Sequence, residues 1–169
     1  MEFKIVDFDE KYNDEVNTLV QETWGECDDE DISKSRNDKS FVRLALANEK
    51  VEGVTFCNQI GDSFHINYIV ISPKYQKCGI GTSFLKLIIN EAISRECQTI
   101  TCEVITLDNK ANSKKLVENF GFEYLYTINN YYGSLYPDYV CPDCGNPCKF
   151  GAMFYVKKLK IDKSSKFKI

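Results

Sequence analysis

The sequence predicts an α/β (α+β) domain of about seven strands and about four helices. Three observations carry that expectation. Runs that alternate with period two and stretches with helical spacing follow one another along the chain. Two turn signals, Asn48-Glu49-Lys50 and Gly61-Asp62, join strand-like runs directly, as hairpins do. One apolar run, residues 64–71, ends at Pro73 and passes through a glycine-bearing turn into an amphipathic helix.

Taken in order, residues 3–8 alternate as a first strand, and residues 12–24 carry Val16, Leu19, Val20 and Trp24 at helical spacing. Residues 26–39 are polar, with Asp31 or Ser33 able to cap a short helical piece. Residues 41–47 and 51–58 read as two strands around the first turn, and residues 64–71 as a long fourth. The helix over about residues 79–95 places Phe84, Leu85, Ile88, Ile89, Ala92 and Ile93 on one broad face. Residues 99–105 form a strand and 111–119 a helix, with Gly121 suited to its C-terminal cap. Residues 122–128 and 152–159 are the last two strands.

A chain of 169 residues is one domain, residues 1–169, long enough to bury a core. Its net charge of −4 argues against a large basic surface for nucleic acid. Charge is unevenly placed: residues 26–31 are an acidic cluster, while 157–168 hold six lysines and one aspartate. Both suit solvated segments, a loop and a basic tail over about 160–169, although an acidic rim would also attract a cationic amine. The opening residues lack an apolar leader, and no uncharged apolar run reaches the ~20 residues a bilayer requires. No membrane partner and a cytoplasmic location are expected.

The turn after residue 71 is the most informative stretch. A strand that stops, a glycine-bearing turn and a helix start bring orphan N–H groups and the positive end of a helix dipole to one point, which suits a diphosphate. No Gly-Lys-Ser or Gly-Lys-Thr occurs, so it is not a Walker loop. The dinucleotide fingerprint fails too, because Phe84 stands three residues after Gly81. What remains is Q-x-x-G-x-G, in Ile71-Ser-Pro-Lys-Tyr-Gln-Lys-Cys-Gly-Ile-Gly-Thr82. That stretch resembles the central motif of the GNAT superfamily of acyl-CoA-dependent N-acetyltransferases. Residues 108–122, Asp-Asn-Lys-Ala-Asn-Ser-Lys-Lys-Leu-Val-Glu-Asn-Phe-Gly-Phe, are similar to the family's later helix and its closing Gly-Phe. The resemblance covers roughly residues 1–160, most closely 64–124. It implies a mixed, mostly antiparallel sheet, splayed by a V-shaped gap that holds the pantetheine arm. It also implies acetyl transfer from acetyl-CoA to a primary amine, on a small molecule or a peptide, by direct attack in a ternary complex.

By that resemblance, main-chain groups of Ile69, Val70 and Ile71 hold the pantetheine arm and donate to the oxyanion. Gln76, Lys77, Cys78, Gly79, Ile80, Gly81 and Thr82 hold the pyrophosphate, with Lys77 and Cys78 contributing N–H groups only. Asn109 and Asn112 flank the later helix; one is expected to cap it and one to reach the cofactor amide. Acyl transfer to a protonated amine needs a base, an oxyanion donor and relief for the leaving thiolate. His65, the only histidine, lies where some relatives carry a glutamate base. Alternation on an unbroken strand places 65, 67, 69 and 71 on one face, and an imidazole titrates near neutrality. The ordinary alternative is a half-buried strand histidine. The tyrosine that many relatives use as acid is replaced here by Val117; Tyr124, Tyr126, Tyr131, Tyr132 and Tyr136 are nearby, more suited to packing and lining. A thiolate leaves tolerably unaided.

Eight cysteines in such a chain are not a disulfide framework. Cys27, Cys57, Cys97 and Cys102 stand singly, as small buried apolar residues do. Cys141-Pro-Asp-Cys144-Gly-Asn-Pro-Cys148 differs, in an insert over about 133–151 before the last strand. Cys-x-x-Cys-Gly has the shape of a zinc knuckle. A fourth ligand would come from water, Asp138, a distant cysteine or a partner chain. A redox pair and a reduced Pro/Gly-shaped turn are the other readings of this insert. Two readings of the whole chain stand beside the transferase: a non-catalytic acyl-CoA-binding module, and a metal- or redox-sensing interaction domain.

Overall fold

The computed structural model describes residues 2–24, 32, 36–108 and 110–160. Its strands are β1 (Lys4–Asp7), β2 (Ser40–Ala47), β3 (Lys50–Ile60), β4 (Ser63–Ile71), β5 (Thr99–Thr106), β6 (Glu123–Ile128) and β7 (Gly151–Lys158). Among the described residues the helices are α1 (Asn13–Trp24), α2 (Ile80–Ser94), α3 (Lys114–Asn119) and α4 (Tyr131–Leu135). The strands form one sheet in the order β1-β2-β3-β4-β5-β7-β6. Every neighbouring pair is antiparallel except β4 and β5. The expected mixed, mostly antiparallel sheet is therefore present, with the cysteine-rich insert just before the last strand.

Local chemistry explains the hairpins. Asn48 and Glu49 sit at φ +50° and +62°, the paired left-handed conformations that a tight two-residue hairpin turn requires. Helix α1 lays Val16, Leu19 and Val20 on one face of the sheet, against Leu44, Val54, Phe56, Tyr68 and Val70. Helix α2 covers the other face with Ile80, Phe84, Leu85, Ile88 and Ala92. Burying each such large side chain contributes about 1.5–3 kcal/mol. Gly53 on β3 permits the close seat of α2, since a Cβ there would stand 3.1 Å from Ile80 Cγ2.

Three details depart from expectation. Ile93 is 45% exposed; one residue past buried Ala92, it is rotated about 100° out of the stripe. Helix α3 starts at Lys114 rather than 111. Helix α4 lies where an irregular insert was expected; its Tyr-Tyr-Gly-Ser-Leu sequence carries no apolar periodicity, and none of its residues is buried. The acidic cluster at 26–31, the capping candidates Asp31 and Ser33, Cys27 and the tail from 161 lie outside the described residues. Ile32 is buried in the α1-side core.

Two features of the sheet position the site. Strands β4 and β5 pair only through Ser63↔Thr99, Phe64↔Ile100, His65↔Thr101 and Ile66↔Cys102. Beyond Ile66 and Cys102 they diverge, leaving residues 67–71 and 103–106 unpaired across a V. Strand β4 is also not unbroken. Phe56 pairs with Tyr68 and Cys57 with Ile66, so Asn67 is a bulge. A single extra residue reverses the alternation: Phe64 and Ile66 face α2, and so do Ile69 and Ile71, whereas Tyr68 and Val70 face α1.

Candidate active site

Residues 76–82 form a cradle in which two amides are already used: Gln76 N–H donates to Pro73 O and Cys78 N–H to Tyr75 O, both at 3.4 Å, so Cys78 does not supply the expected donor. Lys77 (φ +61°) and Gly79 (φ +94°) turn the chain in the left-handed region, and a Cβ on Gly79 would meet only open space. Gly79 is thus required for its conformation and for close approach from outside. Gly81 serves packing instead: a Cβ there would stand 3.0 Å from Leu116 Cδ2 of α3. Among the described residues the amides of Lys77, Gly79, Ile80, Gly81 and Thr82 donate to no carbonyl, while Ser83 N–H already bonds Gly79 O at 3.0 Å. A helix of 15 residues adds its positive end to these donors. The side chain of Gln76 donates to Ile71 O at 3.3 Å and ties the cradle to the end of β4.

The V leads from that cradle into the sheet. Ser72 N–H donates to Glu52 O at 2.9 Å, towards β3. Main-chain groups alternate between strand edges, so Val70 and Tyr68 also point to β3, and Ile69 and Ile71 point into the gap. Thr55 Oγ1 donating to Tyr68 O agrees with this phase. Val70 is therefore corrected as a main-chain contact: its amide pairs with β3. Asn112 lies in the exposed turn ahead of α3, where Ser113 holds the cap position without a side-chain bond. Asn112 is not a cap, because the helix begins two residues later. Asn109 lies outside the described residues. Val117 is buried in the core.

His65 sits at the apex of the V. Because of the Asn67 bulge it does not share a face with Ile69 and Ile71, as an unbroken strand would have it; it faces the α1 side. Its Nδ1 lies 2.9 Å from Thr101 Oγ1, and its Nε2 lies 3.9 Å from Glu103 Oε2. Both side chains are about three-quarters buried. Glu103 pairs across to Phe154 on β7. Tyr126 stacks on that ring at 4.7 Å and Tyr131 meets it edge-on at 5.4 Å. Burial raises the Tyr131 and Tyr132 phenols, and the Glu103 charge adds to both. An imidazole, a carboxylate and an aromatic wall thus meet beside the unpaired part of the sheet. Glu103, Thr101 and Phe154 were not anticipated, because only the strand register brings them to His65, whereas Tyr131 was among the tyrosines expected to line the site.

The tyrosines do not restore the missing acid in an obvious way. Tyr124 bonds Thr127. Tyr155, on the opposite face, donates to Glu118 Oε1 at 3.1 Å and is pushed up to about 12 by burial. Apart from this region, the sulfurs of Cys141, Cys144 and Cys148 all lie within 4.8 Å of one another. No carboxylate or imidazole among the described residues joins them, which removes Asp138 as the fourth member.

Similarity to known proteins agrees with this geometry. The model of the acetyltransferase (GNAT) family matches residues 6–122. A ribosomal protein bS18-alanine N-acetyltransferase of Haemophilus influenzae is 30% identical over 101 residues, 59% of this chain and 66%, just under two thirds, of that protein. The fold is that of the ribosomal-protein-S18-alanine N-acetyltransferase of Escherichia coli (TM-score 0.75, 16% identity, covering 99% of this chain and 100% of the other). It is also that of an aminoglycoside 6′-N-acetyltransferase solved with coenzyme A (TM-score 0.71, 16% identity, covering 92% and 96%).

Proposed function

The chain belongs to the acetyltransferase (GNAT) family, and from that premise we propose that it transfers the acetyl group of acetyl-CoA to a primary amine by direct attack in a ternary complex. The observation that carries this reading is the continuity of unpaired main-chain donors, from the cradle at 76–82 to the gap edge of β4. The pyrophosphate is held by the amides of Lys77, Gly79, Ile80, Gly81 and Thr82. The pantetheine arm lies along Ile69 and Ile71 as a strand-like partner, and Ile69 N–H is the donor to the thioester oxygen as it becomes an oxyanion.

At the apex, Glu103 attracts the acceptor's ammonium and His65 takes its proton. Two groups 3.9 Å apart can both reach one nitrogen at about 2.8 Å. The Thr101 hydroxyl can accept from Nδ1–H, and in that tautomer Nε2 is the acceptor that faces the amine. The nitrogen attacks the thioester carbon, the C–S bond breaks as the tetrahedral centre collapses, and the thiolate leaves without a side-chain acid. The acceptor is the α-amine of a polypeptide, a reading supported by the bS18-alanine relative and by an aromatic wall suited to a peptide's first side chains. The setting is cytoplasmic and reducing, in keeping with seven unpaired cysteines among the described residues. None of the described helices is long and apolar enough to cross a membrane.

The test is thiol release from acetyl-CoA over Ala-, Ser- and Met-initiated peptides, polyamines, aminoglycosides and free amino acids. Turnover on peptides, with acetyl mapped to the N-terminus, is expected. Coenzyme A binding without turnover on any amine would favour a binding module. Absence of coenzyme A binding by folded protein would overturn the reading.

A further inference from the structure

We infer that Cys141, Cys144 and Cys148 form a three-thiolate site for a thiophilic tetrahedral dication of the zinc class, with water in the fourth position. A tetrahedral ion ~2.3 Å from each sulfur requires sulfurs ~3.8 Å apart. Cys144 and Cys148 stand at 3.9 Å, and all three sulfurs fall within 4.8 Å. A disulfide would use two sulfurs and leave the third without a purpose. A reduced turn gives no reason for three to converge.

The backbone is arranged for this. Cys141 N–H donates to Gly145 O at 3.2 Å and Gly145 N–H to Cys141 O at 2.9 Å, closing the Cys-x-x-Cys turn. Gly145 at φ +76° makes that closure possible. Lys149 N–H donates to Cys144 Sγ at 3.1 Å, a bond that favours thiolate over thiol. Of residues 129–150, only Cys141 and Cys148 are buried. This insert therefore has no hydrophobic core of its own, and a bound ion supplies the cross-link that a core otherwise would. Cys148 also lines a groove of about 500 Å³ with Asp108, Gly133 and Lys149.

The cross-link has a definite mechanical target. Gly133 of α4 packs so closely on the turn that a Cβ would stand 2.3 Å from Cys148 O. Tyr132 N–H donates to Phe150 O at 3.2 Å. Holding the cysteine turn thus holds α4 and, through Tyr131, the aromatic wall beside Glu103.

The site is tested without substrate, so its failure and that of the transferase reading are separate. Tag-free protein purified without chelators is expected to carry about one zinc per chain by elemental mass spectrometry. Cobalt(II) exchange is expected to give an intense thiolate-to-cobalt charge-transfer band with tetrahedral ligand-field bands. Cys144→Ser should weaken that band and lower retained zinc at least ~10-fold. Should that variant fail to fold, the cobalt spectrum of the unaltered protein still decides. Zinc below a third of an equivalent with no cobalt band overturns the site, as does a disulfide among these cysteines in protein isolated under reducing conditions.

Discussion

In the proposed mechanism His65 and Glu103 divide the work at the apex of the V, and their substitutions separate the two roles. His65→Gln keeps the polar contact with Thr101 but removes the base. It is expected to lower kcat by about 10²–10⁴-fold. Unchanged kcat would retire His65. Glu103→Gln removes the charge that draws the ammonium, so it is expected chiefly to raise KM for the amine and leave affinity for coenzyme A unchanged. A second residue-scale consequence concerns stability. Burial pushes the Cys57 and Cys102 thiols up to about 12. In the unfolded chain they ionise near pH ~8.5, so the unfolded state loses protons first as pH rises. Their stabilising contribution is complete below that pH and lost between there and about 12. The expected slope is roughly 1.4 kcal/mol per pH unit per thiol. Urea titrations at several alkaline pH values should show it, and Cys57→Ala with Cys102→Ala should flatten it.

Strand β4 shows how far sequence carries at the scale of an element, and where it stops. Residues 63–71 alternate in burial along their whole length, so the strand itself was legible. The bulge at Asn67 was not, because a bulge exchanges one face for the other while leaving the buried/exposed rhythm intact when both faces are covered by helices. That exchange is why His65 faces α1, although parity alone would set it with Ile71. The cradle was legible down to its glycines because φ > 0 and close approach restrict residue type strongly. Helix α4 was illegible because contacts with the cysteine turn and β7 hold it, not an apolar stripe of its own. Gly133 states that dependence most sharply. With Cys148 O in the way, Gly133→Ala must separate α4 from the turn, and is expected to cost about 1–3 kcal/mol in urea unfolding. Because Tyr131 moves with α4, KM for the amine should rise as well. A variant of wild-type stability would show that α4 is not pinned there.

The whole sheet is two antiparallel blocks, β1–β4 and β5–β7–β6, joined at their junction by four residue pairs of parallel ladder. On the proposed reading this architecture makes the ligand part of the sheet: a pantetheine arm seated between β4 and β5 would pair with the polar edge of one block and pack against the other, completing the junction. Binding to the folded state only, at 100 times Kd, stabilises it by about 2.7 kcal/mol. In a chain of this size that corresponds to a rise in Tm of about 2–4 °C for each kcal/mol. Where protection appears is more discriminating than its size. If coenzyme A spans the junction, amide exchange should slow at Ile69 and Ile71 and in residues 103–106, as well as in the cradle at 76–82. Dephospho-coenzyme A should reproduce the pattern, since the V holds the arm and not the ribose phosphate. Inorganic pyrophosphate should protect the cradle alone, because it reaches the helix end without entering the gap. Protection confined to the cradle with full-length coenzyme A would mean that the arm lies outside the V, and the assignment of Ile69 as oxyanion donor would fall with it.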